Sequence, residues 1–310
     1  MAFGWLETAL RTGHKGIMKR RPSVLCIGSV LWDVVGRADC EMVLGNDMPG
    51  RIVRQPGGVA MNIAMALNQL DVRSILLSCV GQDASGRDLL QQAAHMGLVT
   101  NHIYQSPDLP TDTYMAVEGE NGLIGAIADA HSLEAAGERI LDPLRNGSLA
   151  SAENPWPGVV ALDGNLTGDM LDTLATSALF AQADFRIAPA SPGKATRLRG
   201  FCSNPGATLY LNLEEANLLS GCNTTNARDA SIKVHEMGVG RVLVTNGANT
   251  ACDCSSQGPV TARPPPVKVR RVTGAGDRFM AAHIAAELHG LSPDKAIAAA
   301  LNDTARFISG

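Results

Sequence analysis

Short apolar runs, most of them followed by a stretch with helical spacing, recur through most of this chain, and that alternation constrains the fold more than any other feature. Residues 24–30, 74–80, 159–163, 185–188, 208–211 and 242–245 are dominated by Val, Leu, Ile, Ala and Cys. Strands covered on both faces read as near-continuous apolar runs, so each is expected to be a buried strand. Helices are expected over 59–70, 85–96, 168–180, 214–220, 227–237, 275–289 and 293–308, the one at 85–96 entered through a Ser cap. Strands alternating with helices imply βαβ units. The expected fold is therefore α/β, a doubly wound, mostly parallel sheet flanked by helices. Such sheets bind ligands beyond the carboxyl ends of their strands, so chemistry is sought at strand ends and helix starts.

One region breaks the pattern. Residues 113–117 and 123–128 flank Glu120-Asn121-Gly122, and Asn-Gly between apolar runs is a strong hairpin signal. Residues 51–55 alternate polar and apolar side chains, as an edge strand does.

Composition narrows the function. With 26 basic and 30 acidic residues the net charge is −4, which lacks the basic footprint of a nucleic-acid binder. No segment reaches the roughly 20 apolar residues of a spanning helix, so no membrane partner is expected. Seven scattered cysteines form no disulfide framework and suit a cytoplasmic setting. Cys252 and Cys254 make a lone C-x-C, short of the four ligands of structural zinc. Residues 1–22 are expected to be an extension outside the fold, and Met18 is an alternative start.

Four constellations carry candidate chemistry. The first is Val272-Thr273-Gly274-Ala275-Gly276-Asp277, expected to join a strand to a long apolar helix. Glycines there let backbone approach a ligand, and first-turn N–H groups with the helix dipole favour an anion. Asp277 is either a base for an attacking hydroxyl or a helix-start acid complementing the dipole. The second is Pro56-Gly57-Gly58-Val59-Ala60-Met61-Asn62, a second glycine-entered helix. Asn62 offers donor and acceptor to sugar hydroxyls, or is exposed beyond a simple turn. The third is Asp33 after the first strand, either a bidentate acceptor for vicinal hydroxyls or a loop acid. The fourth is Asn212-Leu213-Glu214-Glu215, where Asn212 and Glu215 suit Mg²⁺ as hard oxygen ligands, form a capping box, or do both.

Taken in this order, these segments resemble the ribokinase-like (PfkB) family of carbohydrate and nucleoside kinases, from about residue 24 to about residue 307. The signatures are GGVAMN at 57–62, VTGAGD at 272–277 and N-x-x-E at 212–215. The resemblance implies a small β-sheet lid, with strands from about 41–55 and 113–128, on a kinase domain spanning 23–310. It implies ATP with Mg²⁺ and admits a monovalent cation near the glycine loop. By the same resemblance Asp277 is the catalytic base, and Gly274, Ala275 and Gly276 form an anion hole for the γ-phosphate. Asp33, Gly57, Gly58 and Asn62 hold the sugar. Thr245, Gly247, Thr273 and Asn302 lie beside the nucleotide, and Asn212 and Glu215 organise Mg²⁺ largely through water. Where the family has a small residue after the base, this chain has Arg278, available to phosphate or to solvent.

Gly50-Arg51, the run from Thr113-Tyr114 to Asp129, and Asp163-x-Asn165 are similar to the pseudouridine kinase branch. That adds Asp129 and Asn165 to the substrate residues, with His131 a lesser candidate. The implied reaction is γ-phosphate transfer to a primary hydroxyl of a ribosyl compound, the implied substrate being pseudouridine at its 5′-OH, with ribose or another sugar or nucleoside as the alternative. Uncovered lid edges invite pairing, so a homodimer through the lid is expected. Two other readings stand beside it. One is a non-catalytic sugar-binding regulator with a degenerate ATP site. The other is a nucleotide-binding oxidoreductase, which needs an early G-x-G-x-x-G that the first strand end, Gly28-Ser29-Val30, lacks.

Overall fold

The computed structural model describes residues 23–310. The chain enters through β1 (Ser23–Ile27), runs out into β2 (Leu31–Ala38) and β3 (Gly50–Gly57), and returns in α1 (Val59–Gln69). Next come β4 (Arg73–Leu77), β5 (Cys79–Gly81), α2 (Ala84–His95) and β6 (Tyr104–Ser106). The hairpin β7 (Thr113–Gly119) and β8 (Gly122–Asp129) leads to α3 (His131–Ala136) and α4 (Asp142–Arg145). From there β9 (Val159–Asp163), α5 (Gly168–Thr176), β10 (Asp184–Ala188), β11 (Ala207–Asn212), α6 (Leu213–Ser220), α7 (Ala227–His235) and β12 (Arg241–Thr245) follow in order. The antiparallel pair β13 (Ala251–Ser255) and β14 (Gly258–Ala262) precedes α8 (Ala275–Leu288) and α9 (Pro293–Ser309).

The main sheet has the order β14-β13-β12-β11-β10-β9-β1-β4 and is parallel from β4 through β12. Because side chains alternate across a strand, β1 feeds two cores. Leu25 and Ile27 join Leu162, Ile187 and Leu211 on one face, with α5, α6 and α7. Val24 and Cys26 join Leu76, Tyr210 and Leu243 on the other, with α1, α8 and α9. Each fully buried aliphatic side chain contributes about 1.5–3 kcal/mol, which is why these strands carry so few polar residues.

A second sheet, ordered β3-β2-β7-β8, stands beyond the carboxyl ends of the main strands as a lid. It is anchored at its base by Trp32, whose indole N–H donates to Ser85 O at 3.0 Å beneath the Arg54 guanidinium. Its register pairs Asp33 with Gln55 and with Tyr114, so these three share one face, while Trp32 and Thr113 share the other.

Several sequence expectations are corrected. The lid strand expected at about 41–55 is a strand only from Gly50; Gly45, at φ 85°, turns the chain before it. The strand expected before Val272 does not form: β14 ends at Ala262 and no strand follows it before α8. Asp33 lies within lid strand β2, not in a loop after β1. The run 74–80 divides between β4 and β5, which belong to different sheets. Helix α2 is capped by Asp83, which accepts from Gly86 N at 2.6 Å, rather than by Ser85. Cys252 and Cys254 sit on the unforeseen strand β13, buried in the core. Residues 1–22, expected to be an extension, lie outside the described residues.

Candidate active site

Three parallel strands deliver polar groups to one edge. β9 ends in Asp163 beside Gly28-Ser29 after β1, and β11 and β12 end in Asn212 and Thr245, which are register partners. Helices α1 and α8 also begin near this edge, both on glycine, and their side chains meet: Asn62 Nδ2 donates to Asp277 Oδ2 at 2.9 Å. Two segments 215 residues apart in sequence are thereby joined.

The start of α1 is closely fitted. A Cβ on Gly57 would lie 2.1 Å from an Asp33 carboxylate oxygen, and one on Gly58, at φ 94°, would lie 2.5 Å from Ser29 O. Both glycines are therefore required, and Gly57 backbone forms one wall against Asp33. The start of α8 is different. Gly274 takes φ 80°, a left-handed conformation suited to glycine, and no side chain caps the helix. A Cβ on Gly276 would meet nothing within 4 Å. Ala275 N donates to Val272 O at 3.0 Å, which leaves the amides of Gly276 and Asp277 to suit an anion.

Burial tunes the acids. Asp277 is half-buried at the start of α8, and desolvation is the main influence on its carboxyl. With the charges of Asp163, Asp33 and Glu215 it pushes the pKa up to about 7, against the opposing hydrogen bond from Asn62. Asp33 is pushed up to about 6 by burial. Both carboxyls are thus held where they exchange protons near neutral pH, as a general base requires.

Beside α6 lies a groove of about 770 Å³ whose walls include Asn212, Glu214, Asn217, Thr245, Asn246 and Gly247. Thr273 and Asn302 are exposed and are not among its lining residues. Asn212 and Glu215 form a reciprocal capping box: Glu215 N donates to Asn212 Oδ1 at 2.9 Å, and Asn212 N donates to Glu215 Oε2 at 2.8 Å. Among the described residues no cluster of three or more His, Cys, Asp or Glu is placed to hold a metal. The oxygen donors of Asn212 and Glu215 fit an ion held chiefly by phosphate and water, as Mg²⁺ usually is.

Some expected residues have other partners. Asn165 Nδ2 donates to Ser29 Oγ at 2.9 Å, and its oxygen accepts from Lys194. Asp129 is register partner to Thr113, on the Trp32 face of the lid rather than the Asp33 face. Its carboxylate is 2.8 Å from His131 Nδ1, and that pairing raises the exposed imidazole's pKa. Arg278 is turned away from open solvent. It ion-pairs with Asp303 of α9 and donates to Gln69 Oε1 of α1 at 2.6 Å, tying three helices together.

Sequence reasoning missed Tyr114 as a neighbour of Asp33, although its position in the lid run was the available signal; burial and the Asp33 charge raise its phenol pKa. It also missed Ser29 and gave Asp163 no role, where the signal was a carboxylate ending an apolar strand.

The geometry accords with three comparisons. Residues 21–306 match the model of the pfkB family carbohydrate kinases. A pseudouridine kinase of Escherichia coli K12 is 30% identical over 271 residues, covering 85% of this chain and 83% of the relative. Among solved structures, a carbohydrate kinase from Agrobacterium tumefaciens superposes with a TM-score of 0.76 at 25% identity, covering 92% of this chain and 90% of that one. An Arabidopsis thaliana ribokinase complexed with ribose and ATP shares the fold, with a TM-score of 0.73 at 19% identity over 94% of this chain and 93% of that one.

Proposed function

The chain belongs to the pfkB family of carbohydrate kinases, phosphotransferases acting on hydroxyl groups, and from that premise we propose that it phosphorylates the 5′-hydroxyl of pseudouridine with ATP. The observation that carries the mechanism is the Asn62–Asp277 hydrogen bond at the uncapped start of α8. It sets one acid beside an anion-binding helix terminus, the arrangement that phosphoryl transfer needs. Substrate identity rests on the similarity to the Escherichia coli pseudouridine kinase, and ATP on the family and the Arabidopsis ribokinase complex.

In this reading residues 23–310 act as one kinase unit. The sugar lies between the Asp33 face of the lid and the start of α1, held by Asp33, Gly57, Gly58 and Asn62. The nucleotide occupies the groove at Thr245 and Gly247, with its phosphates directed to the start of α8 at Gly274, Ala275 and Gly276. Asn212 and Glu215 would hold Mg²⁺ largely through water, and the ion would supply charge neutralisation for the phosphates. Asp277 takes the proton of the acceptor hydroxyl as its oxygen bonds to the γ-phosphorus, and the bond to ADP breaks. Preorganised amides stabilise the moving charge.

The outer lid face presents Ile52, Met115, Val117 and Ile127 to solvent, 79%, 49%, 38% and 70% exposed. An apolar surface of this kind suits a second copy of the chain.

The test is ADP release over a panel of ribose, fructose, adenosine, uridine and pseudouridine. Pseudouridine should give the highest kcat/KM. A higher value for ribose would reassign the substrate within the family, and no turnover with any would favour a sugar-binding regulator.

A further inference from the structure

Asp163 is a carboxylate with 0% exposure, and the mechanism above gives it nothing to do. A buried ion costs several kcal/mol unless its lone pairs are filled. Here they are filled by one particular set of donors. Oδ2 accepts from Ser29 N at 2.7 Å, Ser29 Oγ at 2.9 Å and Ala60 N at 3.1 Å, and Oδ1 accepts from Asn165 N at 2.7 Å. Ser29 extends the grip: its Oγ accepts from Val59 N at 2.8 Å and its carbonyl from Met61 N at 3.2 Å. The amides of Val59, Ala60 and Met61 are donors that the first turn of a helix leaves free. All three end on Ser29 or Asp163. Gly28 makes room, because a Cβ there would lie 2.2 Å from Asp163 Oδ2.

We propose that Asp163 is a positioning residue for phosphoryl transfer: it locks the first turn of α1 to the strand ends of β1 and β9, and so sets Asn62 against Asp277. Asn62 is the next residue along the helix after the three clamped amides, and its own N–H returns to Gly58 O at 2.8 Å. A shift of α1 along its axis or a turn about it would carry the Asn62 amide away from Asp277. Charge-assisted bonds are shorter and stronger than neutral ones, and a negative charge at this end complements the helix dipole. An amide at 163 could serve Ser29 and Ala60 but would turn a donor toward Asn165 N, so the clamp would loosen without a change of side-chain size.

This inference rests on Asp277 acting as the base, so the experiment begins with Asp277→Asn, assayed by ADP release with ATP and pseudouridine. Asp163→Asn, Asn62→Ala and the double variant are then compared for kcat, both KM values and thermal midpoint. Residues acting through one contact show non-additive effects, so Asp163→Asn should lower kcat about tenfold with the KM for ATP within about twofold. The double variant should be no slower than Asn62→Ala alone. A purely structural role would lower the thermal midpoint and leave the two kcat effects multiplicative. If Asp163→Asn does not fold, Ser29→Ala, which removes only the hydroxyl links, takes its place with the same expected coupling. Multiplicative effects alongside an inactive Asp277→Asn overturn the proposal for Asp163 alone; an active Asp277→Asn overturns the base assignment beneath it.

Discussion

Helices α1 and α8 begin alike in sequence and differently in space. Each opens on a glycine, at φ 94° and φ 80°, and each places a polar side chain into the shared Asn62–Asp277 contact. At α1 the protein fills the helix terminus with its own Ser29 and buried Asp163. At α8 no side chain caps the terminus, and the space at Gly276 is open. At α8 only Ala275 N is taken, by Val272 O at 3.0 Å, and the Gly276 and Asp277 amides after it stay open. A helix start that the fold has already satisfied shapes a site, whereas one left largely open is where an incoming anion finds donors. In this account α1 is the rigid wall and α8 the working surface.

The largest effect that would break this division falls on the acid at the working surface. Asp277→Asn should lower kcat by about 10²–10⁴-fold, the usual contribution of a general base, with nucleotide affinity by calorimetry little changed. A variant with wild-type turnover would remove Asp277 from the mechanism.

The next effect separates the two glycines. Gly58→Ala forces a left-handed residue against Ser29 O and should cost roughly 1–3 kcal/mol of stability in denaturant unfolding. Gly276→Ala should unfold like the parent, since its methyl enters open space, but weaken ATP binding if that space takes the phosphate as proposed. The reverse pattern would exchange the roles assigned to the two helices.

Acidity sharpens the comparison further. As a base, Asp277 must be ionised, so kcat/KM should fall as pH drops through about 7, with Asp33 adding a fall near about 6. Stability runs the other way. The folded pKa of Asp277 lies above its unfolded value, so the native state binds the extra proton, and stability present below about pH 4 declines as pH rises through about 7. Asp277→Asn should therefore raise the thermal midpoint at pH 8 and leave it nearly unchanged at pH 4.

The smallest effect belongs to Arg278. Arg278→Ala unties α8 from Asp303 and Gln69 and should cost about 0.5–1.5 kcal/mol of stability, with the KM for ATP unaltered. A large rise in that KM would return Arg278 to the phosphate.

Much of the fold was legible because its signals are local. The parallel strands β9 to β12 are short apolar runs, and the Asn121-Gly122 hairpin declares itself by turn chemistry. β2 was not legible, because Val34, Val35 and Gly36 are half-buried in the lid and show neither a core run nor a clean alternation. The two glycine motifs could be found in sequence, but not which helix start is filled, since Asp163 reaches Ser29 across 134 residues. The cluster behind α8 was equally hidden. Arg186, Arg241 and Glu287 come from β10, β12 and α8 and enclose buried His283, whose pKa burial pushes down to about 3. Such pairings depend on strand order, which local periodicity does not carry.

The most direct measurement is a crystal structure with pseudouridine and a non-hydrolysable ATP analogue. The account predicts the terminal phosphate at the Gly274–Gly276 start of α8, with the Gly276 amide donating to it, and the 5′-hydroxyl within about 3.2 Å of the Asp277 carboxylate. A terminal phosphate bound elsewhere, or a 5′-hydroxyl facing away from Asp277, would contradict it.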